Sequence, residues 1–332
     1  MLSIVIPVYR NEANLDRLLP ALEGVADACP VPLEVVFVVD GSPDRCLELL
    51  RERLPRASFA SQLVALSRNF GSFNAILAGL EAGQGDHFAV LAADLQEPPE
   101  LALQFLDMMR RGEAEVTFGV RAGRSDPLLS EASARLFWFL YRRLVVREMP
   151  PGGVDMFGCT RAVRDRLLSL REVNVNLIAL LFWMGFRRGY VPYDRQPRLE
   201  GKSAWTLRKK LRYCLDSVFN FTNLPIQFLL WVGGIGTTVA VLFAGVLLVA
   251  KLTGRIEVPG YTAIALAVTF FGAIISLGLG ILGQYLWLAL QNIRGRPNYF
   301  VASAERYRSS APGVREPAAP ATTETQAGRS GR

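Results

Sequence analysis

The sequence predicts an α/β protein: a mostly parallel sheet with helices on both faces, followed by a C-terminal pair of transmembrane helices. Apolar runs typical of strands alternate with segments of helical period, which is the pattern of such a sheet. Asp, Glu, Lys and Arg are absent from Ser217 to Ala250 and again from Val258 to Ile293, and a spanning helix needs about 20 apolar residues. Because 51% of the 332 residues are hydrophobic, the chain can also bury the core of a domain over residues 1–215.

The elements of this first domain follow from their periodicity. The predicted strands are Ser3–Tyr9, Leu33–Asp40, Gln62–Ser67, His87–Asp94 and Glu115–Arg121. The predicted helices between them are Asn14–Ala28, Gly71–Ala82 and Pro99–Arg111. Ligands of parallel sheets bind beyond the carboxyl ends of the strands. A single polar residue after a strand is an ordinary turn residue, but five polar strand ends in succession favour a binding site there.

Composition excludes several classes of site. His87 is the one histidine, and the four cysteines show no CxxC pair, so a His-rich metal site, a zinc site and a disulfide framework are disfavoured. The cysteine usage fits a reducing compartment. The formal net charge is +7, but the basic residues concentrate beside the uncharged stretches, which argues against a nucleic-acid partner.

The two uncharged stretches predict transmembrane helices over residues 225–250 and 261–288. Basic residues flank the pair more densely than they populate its short connection, which predicts a cytoplasmic-membrane protein with both termini in the cytoplasm. A buried pair of helices in a soluble core is the alternative. The segments near 128–147 and 207–222 mix aromatic and basic residues, which suits helices in the membrane interface or helices packed on the domain. Residues 301–332, rich in Ala, Pro, Ser and Thr, predict a disordered cytosolic tail. A homo-oligomer formed through the hairpin stays open.

An ordered set of motifs carries a family resemblance. The motifs read IPVYRNEANL, VVDGSPD, LSRNFGSFNAILAGL, AADLQEPPE, GVRAGRSD, DMFGCTR, QPRLEGKSAW and, after the two spans, GRPNYF. Together they resemble the inverting family 2 glycosyltransferases of the dolichyl-phosphate mannose synthase and bacterial undecaprenyl-phosphate glycosyltransferase type. The resemblance implies a GT-A fold, a nucleotide-sugar donor, a divalent metal (Mg²⁺ or Mn²⁺) and a polyprenyl-phosphate acceptor at the membrane.

The resemblance also implies roles for individual residues. Asp94, Asp155 and Arg121 match the catalytic positions, and Asp94 and Gln96 match the metal contacts. The binding positions for donor and acceptor are Pro7, Tyr9, Asp40, Asp94, Arg121, Arg124, Arg195, Arg198 and Ser203. Two acidic residues usual in the family are replaced by Val39 and Ala92. UDP is the expected nucleotide, and these replacements leave GDP open.

Two other functions compete with a lipid-phosphate glycosyltransferase. A processive polysaccharide synthase of the same superfamily would carry a Gln-x-x-Arg-Trp motif before its later spans, whereas Gln291 to Gly295 lacks the tryptophan and follows the last span. The replacements at Val39 and Ala92 would also suit a catalytically silent membrane partner. Turnover with nucleotide sugars separates the latter from an enzyme.

Overall fold

A computed structural model describes residues 1–121, 142–143, 146, 148–150, 154, 156–170, 176–195, 222, 224–253 and 260–309. Within these residues, one sheet contains eight strands in the order β7-β5-β6-β4-β1-β2-β3-β8. The strands are β1 Leu2–Val8, β2 Leu33–Val39, β3 Ala60–Leu66, β4 His87–Val90, β5 Val116–Arg121, β6 Phe157–Thr160, β7 Arg188–Tyr193 and β8 Val301–Tyr307.

Most of these strands point the same way. β1 pairs in parallel with β2 and β4, β2 with β3, and β5 with β7, whereas β6 and β8 are antiparallel to their neighbours. Strands β1 to β5 and β7 therefore end at one side of the sheet, called the carboxyl edge below. The predicted mostly parallel sheet is confirmed.

Helices cover both faces of the sheet, as predicted. The helices on the sheet are α1 Leu15–Ala28, α2 Cys46–Arg53, α3 Ser72–Ala82, α4 Leu101–Arg110, α5 Arg161–Ser169 and α6 Leu177–Trp183, and two long helices, α7 Leu224–Leu252 and α8 Tyr261–Ile293, follow them. Buried side chains of α1, α2 and α4 pack on one face, and those of α3, α5 and α6 pack on the other. All seven residues of β2 are buried, which explains its unbroken apolar sequence.

Strand β4 is shorter than predicted. The prediction extends it to Asp94, but the strand ends at Val90. Leu91 still donates its N–H to the Val5 carbonyl at 3.0 Å, and the chain then turns, with Leu95 at a φ of 53°. The acidic motif is therefore part of a turn beyond the sheet.

The two long helices lie where the spans are predicted. Helix α7 has 29 residues and α8 has 33, and they pack where Leu229 approaches Gly278. Over the residues that the structure describes, no helix meets the length and apolarity required to cross a bilayer. The helical hairpin is present, whereas its crossing of a membrane stays a prediction. The predicted interfacial segments lie mostly outside the described residues.

One expectation about the C-terminus is wrong. The composition predicts a disordered tail from residue 301, but Val301–Tyr307 forms β8 and pairs antiparallel with β3 over Ser61 to Leu66. The strand is stabilised by backbone hydrogen bonds to an existing sheet edge, so it needs no apolar core of its own. Residues 310–332 lie outside the described part of the chain.

Candidate active site

Two turns at the carboxyl edge are locked together by hydrogen bonds. They follow β1 and β2, whose last residues, Val8 and Val39, pair. Arg10 donates its N–H to Ser42 Oγ at 2.7 Å, and Glu12 donates its N–H to Asp44 Oδ2 at 3.2 Å. Arg45 donates its N–H back to Glu12 Oε2 at 3.0 Å. Each turn thus satisfies backbone groups of the other.

Asp44 is the centre of this network. Burial alone would raise the pKa of Asp44, but hydrogen bonds from the Ser42 hydroxyl, the Cys46 thiol and two backbone N–H groups together hold it below its usual value. Burial and the adjacent carboxylate raise the pKa of Cys46 to about 12. The thiol therefore stays protonated and acts as a hydrogen-bond donor rather than as a nucleophile.

Asp40 fixes the loop of residues 67–71. Its side chain is buried, and its two carboxylate oxygens accept the N–H groups of Phe70 at 2.7 Å and Gly71 at 2.9 Å. Burial raises the pKa of Asp40, although these two hydrogen bonds oppose the shift. Gly41 allows the close approach: its φ is +56°, and an added Cβ would lie 2.3 Å from the Arg68 carbonyl carbon. The loop is thereby held directly over the end of β2.

Tyr9 offers an accessible ring at the end of β1, where Asp40 donates its N–H to the carbonyl of the preceding Val8 at 3.0 Å. The side chain is 40% exposed, and the Arg10 guanidinium carbon lies 5.4 Å from its ring centroid. Pro7 precedes it in β1, paired with Val38. An exposed aromatic next to a fixed carboxylate is a suitable surface for a planar, hydrogen-bonding ligand such as a nucleobase.

The acidic motif contacts a basic residue that lies 99 positions further along the chain. Gln96 donates its N–H to Asp94 Oδ1 at 3.4 Å, which closes the turn. The Gln96 side-chain oxygen accepts a hydrogen bond from Arg195 Nη2 at 2.6 Å. Arg195 Nε also lies 3.8 Å from Oε1 of the buried Glu97. Arg195, which the resemblance assigns to acceptor binding, therefore lies against the acidic motif.

The sheet explains how Arg195 reaches this position. β5 and β7 are parallel neighbours, and Arg121 pairs with Tyr193 at the carboxyl edge. Arg195 follows two residues later, so two guanidinium groups belong to the ends of adjacent strands. The predicted site residues Arg124, Asp155, Arg198 and Ser203 lie outside the described residues.

The side chains of the acidic motif fit a hard divalent cation in part. Among the described residues, no group of three or more His, Cys, Asp or Glu side chains could hold a metal. Asp94 and Gln96 supply one carboxylate and one amide oxygen, and the amide oxygen already accepts from Arg195. Mg²⁺ and Mn²⁺ accept such oxygen donors, and Mg²⁺ commonly takes its other ligands from water and substrate phosphates.

Sequence reasoning did not assign the network around Asp44 or the contact of Glu97 with Arg195. The network around Asp44 could have been predicted from the motif Asp-Gly-Ser-Pro-Asp before a helix, because Ser and Asp side chains there commonly accept hydrogen bonds from turn and helix N–H groups. No sequence motif indicates the contact of Glu97 with Arg195, because a contact between residues so far apart in the sequence depends on strand order.

Comparison with known proteins gives four findings. The pattern of Glycosyl transferase family 2 matches residues 3–170. The chain is 32% identical over 301 residues to the uncharacterized glycosyltransferase sll0501 of Synechocystis sp., with 91% of this chain and 94% of that protein covered. It is also 32% identical over 313 residues to the undecaprenyl-phosphate 4-deoxy-4-formamido-L-arabinose transferase of Pseudomonas aeruginosa, with 94% and 92% covered. Among solved structures, the mannosyltransferase PcManGT from Pyrobaculum calidifontis in complex with GDP-Man and Mn²⁺ is similar to this chain. The TM-score is 0.46 and the sequence identity is 15%, and the alignment covers 86% of this chain and 87% of that chain.

Proposed function

We propose, from the premise that this chain belongs to glycosyl transferase family 2, that it transfers a sugar from a nucleotide diphosphate to a polyprenyl phosphate at a membrane surface. That the chain is a glycosyltransferase follows from the family and from its named relatives. The acceptor is supported by one observation above all: the similarity to an undecaprenyl-phosphate transferase extends over 94% of this chain, which includes the long helices.

The donor is proposed to bind where β1, β2 and β4 end. Tyr9 and Pro7 would face the base, and Asp40 would hold the pocket wall through residues 67–71. UDP is the expected nucleotide. GDP is the alternative, because Val39 stands where the family usually has the first of two adjacent acidic residues. The exposed ring of Tyr9 and the two locked turns support this placement.

The leaving diphosphate requires positive charge. Asp94, with Gln96, would hold Mg²⁺ or Mn²⁺, which supplies Lewis-acid stabilisation of the leaving oxygens when bound. Arg121 and Arg124 would contact the same phosphates, since guanidinium groups match phosphate oxygens geometrically. The contact of Arg195 with Gln96 supports an additional role for Arg195 in orienting the acidic motif.

The acceptor needs little activation. A phosphate monoester has a second pKa of about 6 and is largely dianionic at neutral pH, so the nucleophilic oxygen is already deprotonated. That oxygen would attack the anomeric carbon, the bond to the diphosphate would break, and the configuration would invert. Asp155 is then proposed to position the acceptor rather than to abstract a proton, with Arg195, Arg198 and Ser203 at its phosphate. Alignment and charge stabilisation would supply the rate.

Membrane attachment is proposed through α7 and α8. No charged residue lies between Ser217 and Ala250 or between Val258 and Ile293. Large apolar side chains of both helices are exposed, among them Trp231 and Leu286, each at 72%, and soluble surfaces rarely show such a set. At the end of α8 the Arg294 guanidinium carbon lies 5.6 Å from the Trp287 ring centroid, a pairing suited to a lipid headgroup layer.

A lipid-extraction assay tests the proposal. Membranes containing the full-length protein are incubated with labelled UDP- and GDP-sugars, undecaprenyl phosphate and Mg²⁺ or Mn²⁺, and label entering the organic phase is measured. Asp94→Ala should lower the transfer rate by at least about 100-fold, the scale of losing an electrostatic group. Asp107→Ala, which removes an exposed ion pair between α4 and Arg111 directly after it, is the matched control and should transfer at the wild-type rate.

The outcomes separate the competing functions. One sugar per lipid, released as a single product, supports the proposal. Polymer product would favour a processive synthase, and nucleotide-sugar binding without turnover would favour a silent partner. Near-normal transfer by Asp94→Ala would overturn the metal assignment alone.

A further inference from the structure

The chain returns to the sheet directly after α8. Residues 299–309, called the return segment here, begin near the carboxyl edge, where Val301 pairs with Leu66, and run to Tyr307, which pairs with Ser61. The pairing continues beyond the strand, because Ser67 donates its N–H to the Phe300 carbonyl at 3.0 Å. The return segment therefore reaches the first residue of the loop that Asp40 fixes.

Side chains extend this contact into the loop. The rings of Phe300 and Phe70 lie 6.3 Å apart between centroids and are tilted by 51°. On the same ring, the Arg68 guanidinium carbon lies 4.1 Å from the Phe70 centroid. The Tyr299 hydroxyl donates to Glu81 on α3, the helix that begins immediately after the loop. The return segment thus contacts the loop and its following helix.

A short series of contacts connects the return segment to Asp40. The half-exposed ring of Phe300 contacts the ring of Phe70, and the backbone N–H groups of Phe70 and Gly71 donate to the two oxygens of the Asp40 carboxylate. A movement of Phe300 would therefore shift the donors that orient Asp40. No other element between α8 and Asp40 is needed to transmit it.

We infer that Phe300 is a positioning residue of the donor pocket. Through Phe300, the segment that follows the long helices sets the geometry of Asp40. The inference rests on the proposed function only where it assigns Asp40 to nucleotide binding. Phe300 itself touches neither donor nor acceptor in this scheme. Its consequence is that the nucleotide pocket is complete only when the chain has returned from the helical pair.

The far end of the return segment provides a matched control. Arg51 on α2 makes hydrogen bonds from Nε and Nη2 to the Glu305 carboxylate at 2.6 to 3.2 Å. This ion pair anchors β8 without contacting residues 67–71. Glu305→Gln therefore weakens the anchoring of the same strand and leaves the contact of Phe300 with Phe70 in place.

Hydrogen exchange and nucleotide binding test the inference on the full-length protein. Phe300→Ala should speed exchange in peptides covering residues 67–72 and weaken the binding of UDP or GDP with Mn²⁺ by about two- to tenfold, the scale of one aromatic pair. Phe300→Tyr should restore both quantities. Glu305→Gln should leave both at wild-type values, even where it lowers the melting temperature as much as Phe300→Ala does.

Equal behaviour of Phe300→Ala and Glu305→Gln in exchange and affinity would overturn the inference, because it would mean a purely structural role for the strand. Unchanged exchange at residues 67–72 in Phe300→Ala would overturn it as well. If neither UDP nor GDP binds the wild type, the donor pocket is wrong and the inference fails with it. If nucleotides bind but no sugar reaches the lipid, the proposed acceptor is wrong. The inference about Phe300 is then still decided by hydrogen exchange at residues 67–72 and by nucleotide affinity.

Discussion

Single carboxylates organise the turns of the candidate site by accepting several hydrogen bonds at once. Asp40 and Asp44 both do so, with opposite consequences for their pKa values. Asp40 is more deeply buried, and desolvation dominates and raises its pKa. Asp44 is less buried, and its hydrogen bonds prevail and lower its pKa. The balance between desolvation and hydrogen bonding therefore decides which of the two carboxylates, Asp40 or Asp44, stabilises the fold in its ionised form.

Asp44 predicts an acid-sensitive contribution to stability. Its folded-state pKa lies below the ordinary value of 3.8, so its contribution is complete above that value and is lost as the pH falls through the folded-state pKa. Between about pH 5 and about pH 3 the wild type should lose more stability than Asp44→Asn, by less than about 1 kcal/mol after solvent screening. Denaturant unfolding followed across this range measures the difference, and Ser42→Ala, which removes one donor, should show part of the effect. Identical acid dependence of wild type and Asp44→Asn would contradict the assignment.

A side chain at position 41 is disfavoured both by the left-handed backbone conformation of Gly41 and by a clash with the neighbouring loop. Gly41→Ala places a methyl carbon within 2.3 Å of the Arg68 carbonyl carbon, whereas a Cβ at Gly112, whose φ is also positive at +71°, meets nothing within 4 Å. Gly112→Ala should therefore cost about 1–2 kcal/mol for the left-handed conformation alone. Gly41→Ala should cost about 1–3 kcal/mol more, because residues 68–69 must move. The free energies of unfolding of the two variants decide this, and equal losses would show that the loop relaxes freely.

At the scale of elements, the sequence predicts what repeats locally and misses what depends on a distant partner. The strands β1, β2, β3 and β5 and the helices α1, α3 and α4 lie within two residues of their predicted bounds, because their apolar periodicity is set by burial on the sheet. The prediction missed β6, β7 and β8. β7 alternates buried and exposed residues at a sheet edge, and β8 has no buried residue, so neither carries the long apolar run of a central strand.

The same distinction applies to the candidate site. Asp94 lies in a turn beyond β4 rather than at its predicted strand end, and the roles of Asp40, Asp94 and Arg121 stay predictions. The positions of Asp40 and Arg121 at strand ends could be predicted because a parallel sheet places carboxyl ends together. The contact of Arg195 with Gln96 could not, since it depends on β7 lying beside β5. The contact of Phe300 with Phe70 could not either, because the composition after residue 300 resembles a disordered tail.

At the scale of the whole molecule, the pairing of β3 with β8 constrains how the long helices leave and return. Thr222, just before α7, accepts a hydrogen bond at 3.4 Å from the hydroxyl of Tyr285 near the end of α8, and the chain pairs with the sheet again at Val301, shortly after α8 ends at Ile293. Both ends of the helical pair are therefore on the side of the sheet domain. If the pair enters a membrane, the connection between α7 and α8 must lie at the far end of both helices.

This geometry makes the proposed topology testable by cysteine labelling. In a cysteine-free variant in intact cells, Thr253→Cys lies at the end of α7 and should react with a membrane-impermeant maleimide added outside. Arg308→Cys follows β8 and should react only after the cells are opened, because it lies on the side of the sheet domain. Labelling of both positions from outside would place the sheet domain outside the membrane. Protection of Thr253→Cys until lysis would instead mean that the helical pair lies on the inner surface without crossing. The two positions differ in labelling only if the hydrocarbon core of the bilayer separates them.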